Sequence, residues 1–176
     1  MIETLISSKT RIKLLLKFFL NPSNRSYLRG LEPEFQESTN AIRQELNKFE
    51  KAGLLISENE GNKKFFKANT QHPLYDDLKS ITFKMVGLDK VLENIILKLG
   101  ELNRVYLSGK FSQGLNSDVV ELIFIGNIDK EYLQELSGKA ETLIKRKIKS
   151  IVYNLDEYME ATAEQNFAQY LLLWSK

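Results

Sequence analysis

The chain has 176 residues, of which 43% are hydrophobic and 27% charged, so it can bury a core and is neither disordered nor fibrous. At roughly 100–200 residues per domain it holds one medium domain or two small ones, and a large multidomain enzyme is excluded. Cysteine is absent, which removes disulfide frameworks, thiolate metal sites and cysteine nucleophiles. The opening MIETLISSKT carries an acid and lacks a continuous apolar run, so no signal peptide is expected. The longest apolar cluster, Leu14 to Leu20, is interrupted by Lys17 and is far short of the roughly 20 residues that span a bilayer. A soluble, cytoplasmic protein without a membrane partner is expected. The net charge of +2 is unevenly spread: residues 1–70 hold 12 Lys+Arg against 8 Asp+Glu, and residues 71–176 hold 13 against 15. An amino-terminal excess of +4 suggests a polyanionic partner for that part.

Ser8 is placed to cap a first helix in which Ile12, Leu15, Leu16 and Phe19 share one face, and Asn21-Pro22 stops it. Tyr27, Leu28 and Leu31 form a short second amphipathic stretch, with Pro33 limiting its length or marking a new first turn. Ser38 caps a third helix, Thr39 to about Lys51, with Ile42, Leu46 and Phe49 inward and Gly53 closing it. Leu54 to Ser57 and Lys63 to Lys67 have strand composition around the turn-forming string Glu58-Asn59-Glu60-Gly61-Asn62, which predicts a β-hairpin. Three helices followed by a hairpin is the order of a winged helix-turn-helix.

From Pro73 the apolar residues Leu74, Leu78, Ile81, Met85, Leu88, Leu92, Ile95 and Leu99 recur at alternating steps of four and three. This heptad-like spacing predicts a connecting helix of up to about 39 Å whose seam joins two copies of the chain, with Gly87 as a point of kinking or division. The other reading of the same spacing is a helix packed on its own protein; Ile96 and Leu97 widen the apolar face beyond a strict seam. Beyond it, Val105 to Leu107 and Val119 to Ile125 read as strands, Asp129 to Lys147 as a helix and Ile148 to Tyr153 as a further strand. Short helices over Leu155 to Ala163 and Asn166 to Leu171, then an edge strand at Leu172 to Trp174, complete an α/β layer. The expected fold is therefore α+β. It comprises a winged helix-turn-helix over residues 1–72, a long connecting helix over 73–100 and a small mixed α/β domain over 101–176.

In a helix-turn-helix the second helix of the motif enters the major groove. With Ile42, Leu46 and Phe49 inward, the outward set is Thr39, Asn40, Arg43, Gln44, Asn47 and Lys48, all capable of hydrogen bonding to bases or phosphates. Glu45 and Glu50 would repel phosphate and are placed off this surface. Lys63, Lys64 and Lys67 on the hairpin add phosphate contacts.

The stretch SKTRIKLLLKFFLNPSNRSYLRGLEPEF, then STNAIRQELNKFEKAGLL, then KKFFKANTQHPLY, resembles the ArsR-like winged helix-turn-helix regulators over residues 7–78. That resemblance implies a homodimeric transcription factor, usually a repressor, that binds double-stranded DNA through Thr39–Lys51. The metal-sensing branch uses Cys and His ligands; with no Cys and one His this chain is expected to bind no metal and to need no cofactor. The effector, if the chain has one, is not named by any motif.

The string VYLSGKFSQGLNSDVVELIFIG, Val105 to Gly126, is similar to the signature of the minimal nucleotidyltransferase fold, in which a Gly-Ser turn holds nucleotide phosphates and two aspartates hold a divalent metal. Here the Gly is Gly109, the Ser is Lys110, and Val119 and Glu121 stand at the aspartate positions. Two ligands from one strand must lie at i and i+2, whereas Asp118 and Glu121 are three apart and face opposite ways in a regular strand. The expectation is a degenerate domain that is not an enzyme and serves assembly or sensing, with Gly109 and Lys110 as a candidate anion seat. The alternative is a metal-dependent nucleotidyltransferase tethered through a winged helix.

Overall fold

A computed structural model of the chain describes residues 6–164 and 166–176. Met1–Leu5, which carry half of the string behind the leader expectation, lie outside the described residues. The chain is α+β and divides into two units, Met1–Met85 with Gln113–Asn116, and Val86–Ser112 with Ser117–Lys176.

In the first unit, helix α1 (Lys9–Leu15) is capped by Ser8, whose Oγ accepts the Arg11 N–H at 3.2 Å. It continues as a π-helical turn, Leu16–Leu20, that no sequence signal announced. The looser winding frees a carbonyl at Lys17, which accepts the Asn24 side-chain amide at 2.9 Å. Strand β1 (Ser26–Tyr27) leads into α2 (Leu28–Phe35), and Pro33 lies inside that helix. Its missing N–H costs one bond of the ladder, and α2 ends two residues later at a left-handed Gln36 with φ 53°. Helix α3 (Thr39–Lys51) begins at Ser38, whose Oγ accepts the Ala41 N–H at 3.2 Å. The hairpin of β2 (Leu55–Glu60) and β3 (Lys63–Ala68) turns on Gly61-Asn62, with Glu60 opposite Lys63. It is longer than expected because Glu58, Asn59 and Glu60 extend the strand instead of forming its turn. The sheet order is β1-β3-β2, antiparallel throughout. Ile42, Leu46 and Phe49 meet Leu14, Phe18, Phe19, Leu31 and Phe66 in one core.

The expected long helix is not continuous. Helix α4 (Tyr75–Val86) stops at Gly87, which has φ +81°, and α5 (Leu88–Asn94) starts again after it. A side chain at Gly87 would stand 2.8 Å from the Cβ of Ile144, so the break needs glycine both for its dihedral and for the close approach. The boundary between the units falls at Met85/Val86, within the 73–100 stretch expected to form one connection.

The second unit continues with a 3₁₀ turn, Ile96–Lys98, and β4 (Leu102–Ser108). A four-residue helix α6 (Gly109–Ser112), β5 (Val119–Gly126), α7 (Lys130–Ile144) and β6 (Lys147–Tyr153) follow. Asp129 caps α7 by accepting the Glu131 and Tyr132 N–H groups at 2.9 and 3.0 Å. Helix α8 (Leu155–Glu164), a 3₁₀ turn at Phe167–Gln169 and β7 (Leu171–Ser175) end the chain. The sheet order is β6-β5-β4-β7: β5 and β6 run parallel, as a crossover through α7 requires, and β7 is an antiparallel edge strand beside β4. Among the described residues no helix is long and apolar enough to cross a membrane.

Candidate functional site

The first unit presents α3 as the sequence pattern predicts. Ile42, Leu46 and Phe49 are buried, while Asn40, Arg43, Gln44, Asn47 and Lys48 are exposed and Thr39 is half-buried. Glu45 is only 7% exposed, which takes its charge off the outer face. Its Oε2 accepts the Arg11 Nε–H at 2.8 Å, and Lys48 Nζ donates to its Oε1 at 2.8 Å. The hydrogen bond from Arg11, with that from Lys48, outweighs burial and holds the Glu45 carboxyl below its ordinary value.

The hairpin places Lys63, Lys64 and Lys67 on the same unit, and carboxylates hold two of them. Lys64 donates to Glu50 at 2.7 Å and Lys67 to Glu58 at 2.6 Å, and Arg25 pairs with Glu60 at 2.6 Å. Lys64, together with the Ser57 hydroxyl, keeps the Glu50 carboxyl below its ordinary value. Of the expected DNA contacts, Lys48, Lys64 and Lys67 therefore start from ion pairs, and only Arg43 and Lys63 of the expected cations lack a carboxylate partner among the described residues. Glu50 lies beside the wing rather than away from it, because α3 and the hairpin converge there.

Between α2, α3 and the hairpin lies a groove of about 610 Å³. Tyr27, Leu28 and Arg29 wall it from α2 and its approach, Arg43, Leu46 and Asn47 from α3, and Asn62, Lys63, Lys64 and Phe66 from the hairpin. Every charged residue of the lining is a cation. Arg29 was not expected: it sits at the second position of α2, and only the fold brings it opposite Lys63 and Lys64 across one groove.

The expected seam does not form one face. Leu74 and Ile81 on α4 and its approach are 53% and 40% exposed, and Leu78 packs against the first unit's core. Leu88, Ile95 and Leu99 are buried in the second unit, so they are unavailable to a partner; Leu92 is half-buried. The period of the sequence runs through Gly87, but the helix axis does not.

In the second unit Gly109 has φ +63°, and a Cβ there would lie 2.1 Å from the Glu121 carboxylate oxygen. Ser108 pairs with Glu121 across β4 and β5, and Glu121 pairs with Lys149 across β5 and β6, which sets the three in one row. At the candidate anion seat of Gly109 and Lys110 the turn thus faces a carboxylate, and Lys110 is exposed. Asp118 precedes β5, exposed, with its carbonyl accepting the Lys147 N–H at 2.9 Å. Among the described residues no group of three or more His, Cys, Asp or Glu side chains is placed to hold a metal ion.

No protein-family model matches the chain, and no curated protein matches it. Solved structures similar to it include reduced HlyU from Vibrio cholerae, at 15% identity and a TM-score of 0.38, covering 48% of this chain and 83% of that one. A mutant of the MntA–HpeT toxin–antitoxin is 19% identical with a TM-score of 0.40, covering 51% and 72%. A Shewanella oneidensis structure, described as a tri-AMPylated HEPN toxin in complex with MNT antitoxin, is 16% identical with a TM-score of 0.38, covering 53% and 73%. The expectation that the chain is not an enzyme is withdrawn on the toxin–antitoxin structures, one of them described by an AMPylated component.

Proposed function

We propose that the chain is a cytoplasmic, homodimeric transcription regulator, acting as a repressor, whose first unit binds double-stranded DNA through α3 and the hairpin. The observation that carries this is the outer face of α3: Asn40, Arg43, Gln44 and Asn47 point outward while Glu45 is buried against Arg11. Such a face offers a guanidinium for guanine and amides for adenine, and the cation-lined groove beside it is suited to phosphate. Dimerisation is placed on α4 and its approach, where Leu74 and Ile81 expose apolar surface. Binding of the full chain to duplex DNA measured against salt tests the reading: log affinity falls with log salt, and a flat response refutes it. Arg43→Ala costs about 1–3 kcal/mol, concentrated on one sequence; an equal loss on all sequences makes Arg43 a phosphate contact instead.

A second reading, nucleotidyl transfer by the second unit, is favoured by the Glu121 carboxylate against the Gly109 turn. Incorporation of labelled nucleotide into protein or nucleic acid that is lost in Glu121→Gln supports it, and equal incorporation by that variant overturns it.

A further inference from the structure

The groove between α2, α3 and the hairpin has two properties that duplex DNA does not use together. Its charged lining is wholly cationic, and its accessible carbon comes from the half-buried Leu28 and Tyr27, with the buried Leu46 and Phe66 beneath them. The ammonium groups are also drawn over that carbon. Lys63 Nζ lies 4.5 Å from the centre of the Tyr27 ring, and Lys64 Nζ lies 5.2 Å from that of Phe66. Arg29 and Arg43 line the same groove without a carboxylate partner among the described residues. A phosphodiester backbone answers the cations and leaves the apolar floor unoccupied. About 610 Å³ is within the size of small-molecule sites, roughly 300–1,000 Å³, that combine apolar walls with a few placed polar groups.

We propose that this groove is a binding site for an aryl carboxylate, its ring on Leu28 and the Tyr27 side chain and its carboxylate on the Arg43 and Arg29 guanidiniums. Planar guanidinium suits both parts of such a ligand, since its edge donates two N–H bonds to a carboxylate and its face stacks on an aromatic ring. Because Arg43 also stands on the outer face of α3, the ligand and duplex DNA compete for it; this second statement rests on the proposed DNA-binding function.

The test is isothermal titration of the full chain with 2-naphthoate, with the uncharged 2-naphthamide and with inorganic phosphate. Binding of one naphthoate per chain, at least about tenfold tighter than either control, is expected, because charge and apolar body are both required. Arg43→Ala weakens naphthoate by about tenfold or more and Lys90→Ala, an exposed position of the second unit, leaves it unchanged. Equal binding of the amide, phosphate as tight as naphthoate, or an unaltered affinity in Arg43→Ala each overturns the site, the phosphate result making the groove a seat for the DNA backbone alone. A second arm adds naphthoate to the chain on labelled duplex. Displacement supports competition, and undisturbed duplex overturns it. A chain that binds naphthoate but no duplex refutes the DNA-binding reading while the site stands.

Discussion

Replacing Glu50 with Gln removes the carboxylate that holds Lys64 and leaves the side-chain shape. Glu50 sits between the Lys64 ammonium at 2.7 Å and the Ser57 hydroxyl at 2.5 Å. The two charged side chains are 46% and 31% exposed, so solvent screens the pair and its loss costs folding no more than about 1 kcal/mol. The effect on duplex binding is larger. A lysine released to neutralise one phosphate steepens the slope of log affinity against log salt by about 0.9 per chain. Between 50 and 200 mM salt that is roughly a further 3.5-fold loss of affinity, set against tighter binding at the low end. Fluorescence anisotropy of a labelled duplex, titrated at four or more potassium chloride concentrations, reads the slope. Glu93→Gln removes the same charge from an exposed pair with Lys90 in the second unit and serves as control. A slope that is unchanged in Glu50→Gln, or that steepens equally in Glu93→Gln, refutes the placement of Lys64 at the DNA backbone.

Glu45, with its carboxyl held down in the folded chain mainly by Arg11, contributes stability that is present above the unfolded glutamate value near about 4.3 and lost as pH falls through the lower folded value. Urea unfolding of Glu45→Gln against the native chain checks the sign: the difference narrows as pH drops below about 4, and a gap constant with pH refutes the ion-pair account. Ile81→Asp, on an exposed position of α4, gives a folded monomer by light scattering, whereas Leu88→Asp buries a charge in the second unit and unfolds it by several kcal/mol. A folded dimer in Ile81→Asp moves the interface elsewhere. Gly109→Ala destabilises the second unit by about 1–3 kcal/mol through its left-handed backbone and the Glu121 carboxylate, and Glu121→Ala relieves part of that cost. Strict additivity of the two changes in thermal unfolding refutes the contact.

The helices and hairpin of the first unit were legible because their signals are local. Ser8 and Ser38 cap helices through their own hydroxyls, and a 3.6-residue period alone turns Ile42, Leu46 and Phe49 inward. The π-helical turn at Leu16–Leu20 was not legible: all five of its residues are buried, and an apolar run of that length reads equally as ordinary helix. Strand β1 was missed for a related reason: two residues have no periodicity, and Ser26–Tyr27 is a strand only because β3 lies beside it. The seam from Leu74 to Leu99 misled in the opposite direction. Periodicity counts residues, and seven matching steps outvoted one glycine whose φ of +81° turns the chain out of the helix. At the second site the i, i+2 rule took Asp118 as part of the strand, whereas β5 begins at Val119 and Asp118 lies outside it. What the rule could not supply was the register that puts Ser108 opposite Glu121 and so brings a carboxylate onto the Gly109 turn.

Charge shows the same limit most clearly. The amino-terminal excess of +4 is a sum over residues 1–70 and says nothing of where the surplus lies. In the folded unit Arg11, Lys13, Lys17, Arg25, Lys48, Lys64 and Lys67 are each held by a carboxylate of the same unit. Internal pairs of this kind contribute little to the field at a distance, because a carboxylate offsets the cation within about 3 Å; Glu45 serves two, Arg11 and Lys48, and offsets one of them. The cations left without a partner among the described residues are Lys9, Arg29, Arg43, Lys51 and Lys63, and three of these line one groove. A modest total thus becomes a concentrated one. The attraction of a polyanion to this unit comes from these five, with Arg29, Arg43 and Lys63 focusing it on the groove, and the lysines in ion pairs join only where a phosphate competes successfully with the carboxylate already in place.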